Sequence, residues 1–202
     1  MADEWLGRWE RAYARGDLPW DIGRPQSVFR RLAEAGLIAG PVLDSGCGTG
    51  EHALLLASLG IEAVGVDVSP TAIRTAQQKA RDRGHAATFF VGDVLQLSTL
   101  DRTFRSVIDS GMFHTLDDPE RERYVSELAR TLEPGGRLFL LCFSELTPGD
   151  AGPRRVTQAE IRAAFSVGWA VEEIVPERFD VRPDFMEEPP HAWLATIARL
   201  AA

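Results

Sequence analysis

The chain has 202 residues, 45% hydrophobic and 26% charged, which suits one domain that buries a core without disulfides or metals. Its formal net charge is −8 and its basic side chains are almost all arginine. That balance argues against a nucleic-acid partner, because phosphate binding rests on clustered Lys and Arg. Cys47 and Cys142 make neither a disulfide framework nor a metal-ligand cluster, so no metal is expected. No apolar run reaches the roughly 18 residues of a membrane span. The N-terminal residues lack a secretory apolar stretch, so the expectation is a reduced, cytoplasmic protein without a membrane partner.

In chain order, residues 3–15 read as an amphipathic helix with Trp5, Trp9 and Tyr13 on one face. Gly16-Asp17-Leu18-Pro19 breaks it, and Trp20 to Pro25 reads as loop. A second helix is expected over 26–37. The apolar run 41–45 reads as a strand, followed at once by Gly46-Cys47-Gly48-Thr49-Gly50 and a helix over 51–59. Residues 61–66 form a second strand closed by Asp67. Ser69 then caps a helix that reaches Arg81, with Pro70 at its first position. Further strands are expected over 87–91, 104–109, 135–142, 169–175 and 191–200, with helices over 120–132 and 158–165. Thr147–Arg155 reads as a long mobile loop and Arg182–Pro190 as a second irregular segment.

Strands alternating with helices predict an α/β, Rossmann-like domain. Its sheet is seven-stranded and mostly parallel, with helices on both faces. In such sheets ligands bind beyond the carboxyl ends of the strands, where the strand order reverses. Small and acidic residues gather at those ends here: 44–50, 67, 92–93 and 109–110.

The glycine turn carries the main signal. Glycines at 46, 48 and 50 let the chain turn sharply after the first strand and let a ligand approach without a Cβ in the way. A dinucleotide site wants its third glycine further on and a helix N-terminus that accepts a pyrophosphate. Here the third glycine comes early and Glu51 opens the helix, where its carboxylate would repel phosphate. S-adenosylmethionine has no phosphate and carries a sulfonium and an ammonium, which Asp44 and Glu51 suit. Asp67 can accept from both ribose hydroxyls, and Asp93 from an adenine amino group, with the Val94 amide donating to the ring. Taken singly, each acid reads equally well as a turn former or cap.

At this point the chain resembles a class I methyltransferase. DSGCGTGEHALLLASLG, VGVDVSPTAI, FFVGDVL, SVIDSGMFH and LEPGGRLFL stand where that superfamily has its motifs. The stretches Trp9–Tyr13 and Leu18–Gln26 are similar to the N-terminal segments of thiopurine and thiol/halide methyltransferases. They also resemble the heterocyclic toxin methyltransferases, as do Asp109–His114 and Trp193-Leu194. The resemblance implies S-adenosylmethionine as cofactor, S-adenosylhomocysteine as product and a small-molecule methyl acceptor. It implies a helical lid (1–38), a cofactor core (41–143) and substrate-side strands and loops (144–202). Trp9, Tyr13 and Trp20 would fold over the cofactor, with Gly46 at its amino-acid part and Asp67 at the ribose. Asp93 and Val94 would meet the adenine and Ser110 the sulfonium or carboxylate, with Asp44, Gly48 and Val68 in the same set. Core packing of the first helix explains Trp9 and Tyr13 as well.

Methyl transfer needs positioning first, and a general base only when the acceptor atom carries a proton. His114, just after the fourth strand, is the candidate base, against a plain loop histidine. His52 and His85 read as helix-surface residues and His191 as the start of the last strand. Phe113, Phe143, Phe179, Phe185, Met186 and Trp193 can supply apolar walls for the acceptor. The expected activity is N- or O-methylation of an aromatic heterocycle. The alternatives are S-methylation of a thiol, and a non-catalytic cofactor-binding regulator; a nucleotide-dependent oxidoreductase is disfavoured by Glu51.

Overall fold

A computed structural model describes residues 2–16, 18–149, 152–182, 184 and 188–201, with the side chains of 2–6 left out. Trp5's side chain, Asp17, Phe185 and Met186 therefore lie outside the described residues. Helices α1 (Ala2–Arg15) and α2 (Ser27–Glu34) precede β1 (Val42–Ser45). Then come α3 (Glu51–Ser58), β2 (Ala63–Asp67), α4 (Pro70–Arg83), β3 (Thr88–Val91) and β4 (Phe104–Ser110). The chain closes with α5 (Asp118–Thr131), β5 (Leu132–Phe143), α6 (Gln158–Ala164), β6 (Trp169–Arg178) and β7 (His191–Arg199).

The helix starts follow from the sequence. Ser69 Oγ accepts the Ala72 N–H at 3.1 Å with Pro70 inside the first turn, so α4 begins where its orphan amides find a partner. Asp117 and Glu120 form a reciprocal capping box on α5, and Thr157 and Glu160 another on α6. Residues 94–100 form a 3-10 turn that the apolar pattern does not announce; Asp93 caps it through the Leu95 N–H.

The seven strands run in the order β3-β2-β1-β4-β5-β7-β6, with only β7 antiparallel to its neighbours. Every β1 and β2 residue is buried, because helices cover both faces of these strands. One core layer joins Leu43, Val64 and Val107 to Tyr124 and Leu128 of α5. The other joins Val42, Ile108 and Phe139 to Phe29, Leu54 and Ile73 from α2, α3 and α4. Strand order reverses between β1 and β4, which opens a crevice at their carboxyl ends.

Candidate active site

The carboxyl ends of β1, β2 and β4 open into a cavity of about 1220 Å³. A single small-molecule site typically measures ~300–1,000 Å³, so two ligands fit side by side. The floor is the glycine turn. Gly48 and Gly50 take φ of +53° and +86°, a region that favours glycine. A Cβ on Gly48 would stand 2.6 Å from the Tyr13 hydroxyl, and one on Gly50 2.7 Å from the Phe89 ring. The first glycine thus keeps α1 close to the turn, and the second seats the start of α3 against the sheet.

Asp67 closes β2 beside this turn. Its Oδ2 accepts the Gly48 N–H at 2.9 Å and its Oδ1 the Ser69 N–H at 2.8 Å. Each carboxylate oxygen has more than one acceptor position, so capacity remains toward the cavity that Asp67 lines. Burial pushes its carboxyl up to about 6.

The roof is α1 with the loop after it. The Trp9 and Trp20 rings meet edge to face at 5.8 Å, and Trp20 Nε1 donates to the Tyr13 hydroxyl at 3.4 Å. Trp20 stays 42% exposed, available to a ligand beneath it. Glu10 ties this roof down: it accepts from the Thr71 N–H at 3.1 Å and from the Ser69 and Thr71 hydroxyls at 2.5 Å. These bonds, at the positive end of α4, hold its carboxyl below the usual range. Sequence reading missed Glu10 because its partners lie on another helix.

Trp9, Tyr13, Trp20, Gly46 and Gly48 all line the cavity, together with Asp67, Val68, Val94 and Ser110. Asp44 and Asp93 are not among the residues that line it. Asp44 is 1% exposed and accepts the Ala53 N–H at 3.2 Å, bracing α3 from behind the turn. Asp93 is occupied with the Leu95 N–H and the Gln96 amide. Glu51 is paired with Lys79 at 2.9 Å and Arg83 at 2.7 Å, so its charge is largely compensated. The expectation that it repels phosphate loses most of its force.

The far half of the cavity is aromatic. His114 stands 4.8 Å from Phe143 and 5.7 Å from Phe179, and those two phenyl rings meet at 5.1 Å. Phe113 and Trp193 belong to the core instead: Phe113 stacks on Arg121 at 4.4 Å, and Trp193 donates to Glu145 at 2.6 Å. His52 is not a surface residue; it is largely buried, its Nε2 accepts the Gln26 N–H at 3.2 Å, and burial lowers it to about 4. His85 falls just beyond α4, and His191 does open β7. His114 Nδ1 accepts the Phe143 N–H at 2.9 Å, and burial with nearby Arg121 and Arg155 lowers the ring to about 3. With its Nδ1 lone pair taken by the Phe143 N–H, the ring presents no free lone pair to the cavity, which weighs against the candidate-base role. The described part of the 147–155 loop is pinned: Arg155 donates to the Thr147, Pro153 and Gly149 carbonyls at 3.2, 2.7 and 3.0 Å.

A family model described as a methyltransferase domain matches residues 42–136. The 2-heptyl-1-hydroxyquinolin-4(1H)-one methyltransferase of Mycobacteroides abscessus is 38% identical over 173 residues, covering 84% of this chain and 76% of that one. The structure described for conversion of a disulfide bond into a thioacetal group during echinomycin biosynthesis superposes with a TM-score of 0.87 at 36% identity, covering 96% of this chain and 92% of that one. The chain belongs to the S-adenosylmethionine-dependent methyltransferases. A probable thiol methyltransferase of Arabidopsis thaliana is 28% identical over 91% of this chain and 82% of its own length. The magnesium protoporphyrin IX methyltransferase of Synechocystis, solved with bound S-adenosylmethionine, matches with a TM-score of 0.65 at 25% identity, covering 86% of this chain and 76% of that one.

The methyltransferase cavity fits its cofactor on its own chemistry. The Gly46–Gly50 turn and Asp67 line the same cavity as Trp9 and Trp20, and Asp67 keeps acceptor capacity toward it, which a nucleoside with free hydroxyls can use. When bound, S-adenosylmethionine supplies a methyl group on a sulfonium, which aromatic faces such as Trp9 and Trp20 can stabilise.

The buried carboxylates give this methyltransferase a pH signature. Asp44 and Asp109 are pushed up to about 7 and Asp67 to about 6, by burial first in each case. Unfolded carboxylates ionise near ~4. Between pH ~8 and ~6.5 the folded chain therefore takes up protons that the unfolded chain does not, and stability rises as pH falls. Below ~6.5 the unfolded forms of His52 and His114 also gain protons, which opposes the rise and flattens the curve. Calorimetric melting of the ligand-free protein should show a higher midpoint at pH 6.5 than at pH 8. A midpoint that falls over that interval would contradict the assignment of these buried groups.

Proposed function

We propose that this enzyme methylates a ring-bound oxygen or nitrogen of a small aromatic heterocycle, with residues 2–38 acting as a lid over both ligands. The observation that carries this reading is the aromatic wall of His114, Phe143 and Phe179, which faces the same cavity as the glycine turn. Flat rings pack well against such edge-to-face surfaces, and the cavity has room for one beside a nucleoside. The relative named for a hydroxyquinolinone supports the same acceptor class.

Within this reading Trp9, Tyr13 and Trp20 cover the cofactor, Gly46 and Gly48 approach its amino-acid part, and Asp67 holds the ribose. Val68 and Val94 flank the base, and Ser110 stands near the sulfur. Asp44 and Asp93 act one step removed, holding α3 and the 94–100 turn in place. An acidic chain gives nucleic acid little to bind, and two buried free thiols suit a reducing cytoplasm. Among the described residues no helix is long and apolar enough to cross a membrane.

A panel of hydroxyquinolines, phenols, thiols and halides with isotopically labelled methyl donor, read by product mass, tests the acceptor class. Hydroxylated heterocycles should be methylated at least ~10-fold faster than the thiols. Turnover confined to thiols or halides would reject the proposal in favour of an activity like that named for the Arabidopsis relative.

A further inference from the structure

His114 lies in the 3-10 turn 113–115 directly after β4. A neutral imidazole has one N–H and one lone pair. Because Nδ1 accepts the Phe143 N–H at 2.9 Å, the ring proton resides on Nε2. Nε2 has no hydrogen-bond partner among the described residues, although the ring is 6% exposed and lines the cavity. Gly111 keeps the approach clear, since a Cβ there would stand 3.2 Å from Nε2.

Two guanidiniums lie near this ring, and one of them, Arg121, pairs with Glu160 of α6 at 3.6 Å. Arg121 on α5 stacks on Phe113, the neighbour of His114, and Arg155 lies over the Phe143 ring at 5.5 Å. Asp109 on β4 is turned to the Met112 and Phe113 N–H groups at 2.7 and 3.1 Å. Asp117, at the rim, caps α5. Burial and the two guanidiniums favour the neutral ring, and with Nδ1 accepting from Phe143 this leaves Nε2–H as the donor toward the cavity. A preoriented donor in a water-poor site stabilises negative charge far more than it would in water.

We propose that the Nε2–H of His114 donates to the acceptor oxygen and that the acceptor is bound as its oxyanion, so the enzyme selects hydroxylated heterocycles acidic enough to ionise near neutral pH. This rests on the heterocycle reading above. The oxyanion lone pair forms the new O–CH3 bond while the S–CH3 bond breaks and its electron pair stays on sulfur. A sulfonium and an oxyanion become a thioether and an ether; no proton moves and no base is required.

The S-adenosylhomocysteine complex, which cannot react, allows a direct test with 1-hydroxyquinolin-4(1H)-one as probe. Calorimetry in buffers of different ionisation enthalpy counts the protons exchanged on binding. Below the probe's own pKa, binding should release close to one proton per molecule bound; above it, none. Binding without proton release below that pKa would overturn the proposal. His114→Phe should weaken probe binding ~10–100-fold, as expected for a lost bond to a charged acceptor. His114→Gln, whose amide N–H can replace Nε2–H, should recover most of it; equal loss in both folded variants would overturn the donor role. Across ring-substituted probes, the inflection in kcat/KM of the wild-type enzyme should move with each probe's pKa. An inflection fixed at one pH would mean a protein base, and the proposal would fall even if both variants misfold. If thiols react and no hydroxylated heterocycle binds, the acceptor class itself is wrong; if heterocycles are methylated without proton release, only the oxyanion proposal fails.

Discussion

Asp67→Ala should weaken S-adenosylmethionine binding ~10–100-fold, the effect of about 1.5–3 kcal/mol expected when a charged acceptor is removed from buried partners. Two consequences combine. The ribose loses its acceptors, and the Gly48 and Ser69 N–H groups, now bonded to the carboxylate at 2.9 and 2.8 Å, are left without a partner. The turn loosens beneath the proposed cofactor site. The KM for the methyl donor should rise while the KM for the acceptor changes little, because the aromatic wall stands in the other half of the cavity. An unchanged donor KM would reject the ribose assignment. The same carboxylate sets a pH limit: burial holds it at about 6, and the ionised form is the one that accepts from both hydroxyls and both amides. Donor affinity should therefore fall as pH drops below ~6, although the ligand-free fold is then more stable than at pH 8.

Gly50→Val is the second large effect, and it acts on the fold. At φ +86° a side chain is strained, by about 1–2 kcal/mol. The new Cβ would also stand 2.7 Å from the Phe89 ring and 2.8 Å from the Ala76 methyl, both buried. Overpacking of that kind costs a further ~1–3 kcal/mol, so urea unfolding should show a loss of about 2–5 kcal/mol. Gly168→Ala supplies the control, because φ there is +80° and the space around it is open. It should lose only the backbone part. Equal losses at both positions would show that crowding against Phe89 contributes nothing.

Much of this was legible in the sequence where the signal is local. The strand-glycine-helix run over 42–58 and the acid closing β2 are determined by neighbouring residues, and both Gly48 and Asp67 stand on the cavity floor. The cap at Ser69 was readable for the same reason. What failed depends on distant partners. Asp44 and Asp67 look alike as strand-ending acids, yet Asp44 accepts the Ala53 N–H of α3 and does not line the cavity, whereas Asp67 does. Glu51 looks like a bare carboxylate until α4 brings Lys79 and Arg83 beside it. His114 reads as a base until β5 places the Phe143 N–H on Nδ1, which moves the proton to the other nitrogen. Among the phenylalanines, only the folded sheet separates Phe143 and Phe179, which face the ligand cavity, from Phe113, which faces α5 and α6. Hydrophobicity alone cannot tell those directions apart.

A crystal structure of the S-adenosylhomocysteine complex bears most directly on the cofactor site. It should show the ribose hydroxyls within hydrogen-bonding distance of Asp67, the adenine beside Val94, and the sulfur directed toward His114, Phe143 and Phe179. A nucleoside bound away from the Gly46–Gly50 turn, or a ribose that leaves Asp67 untouched, would contradict it.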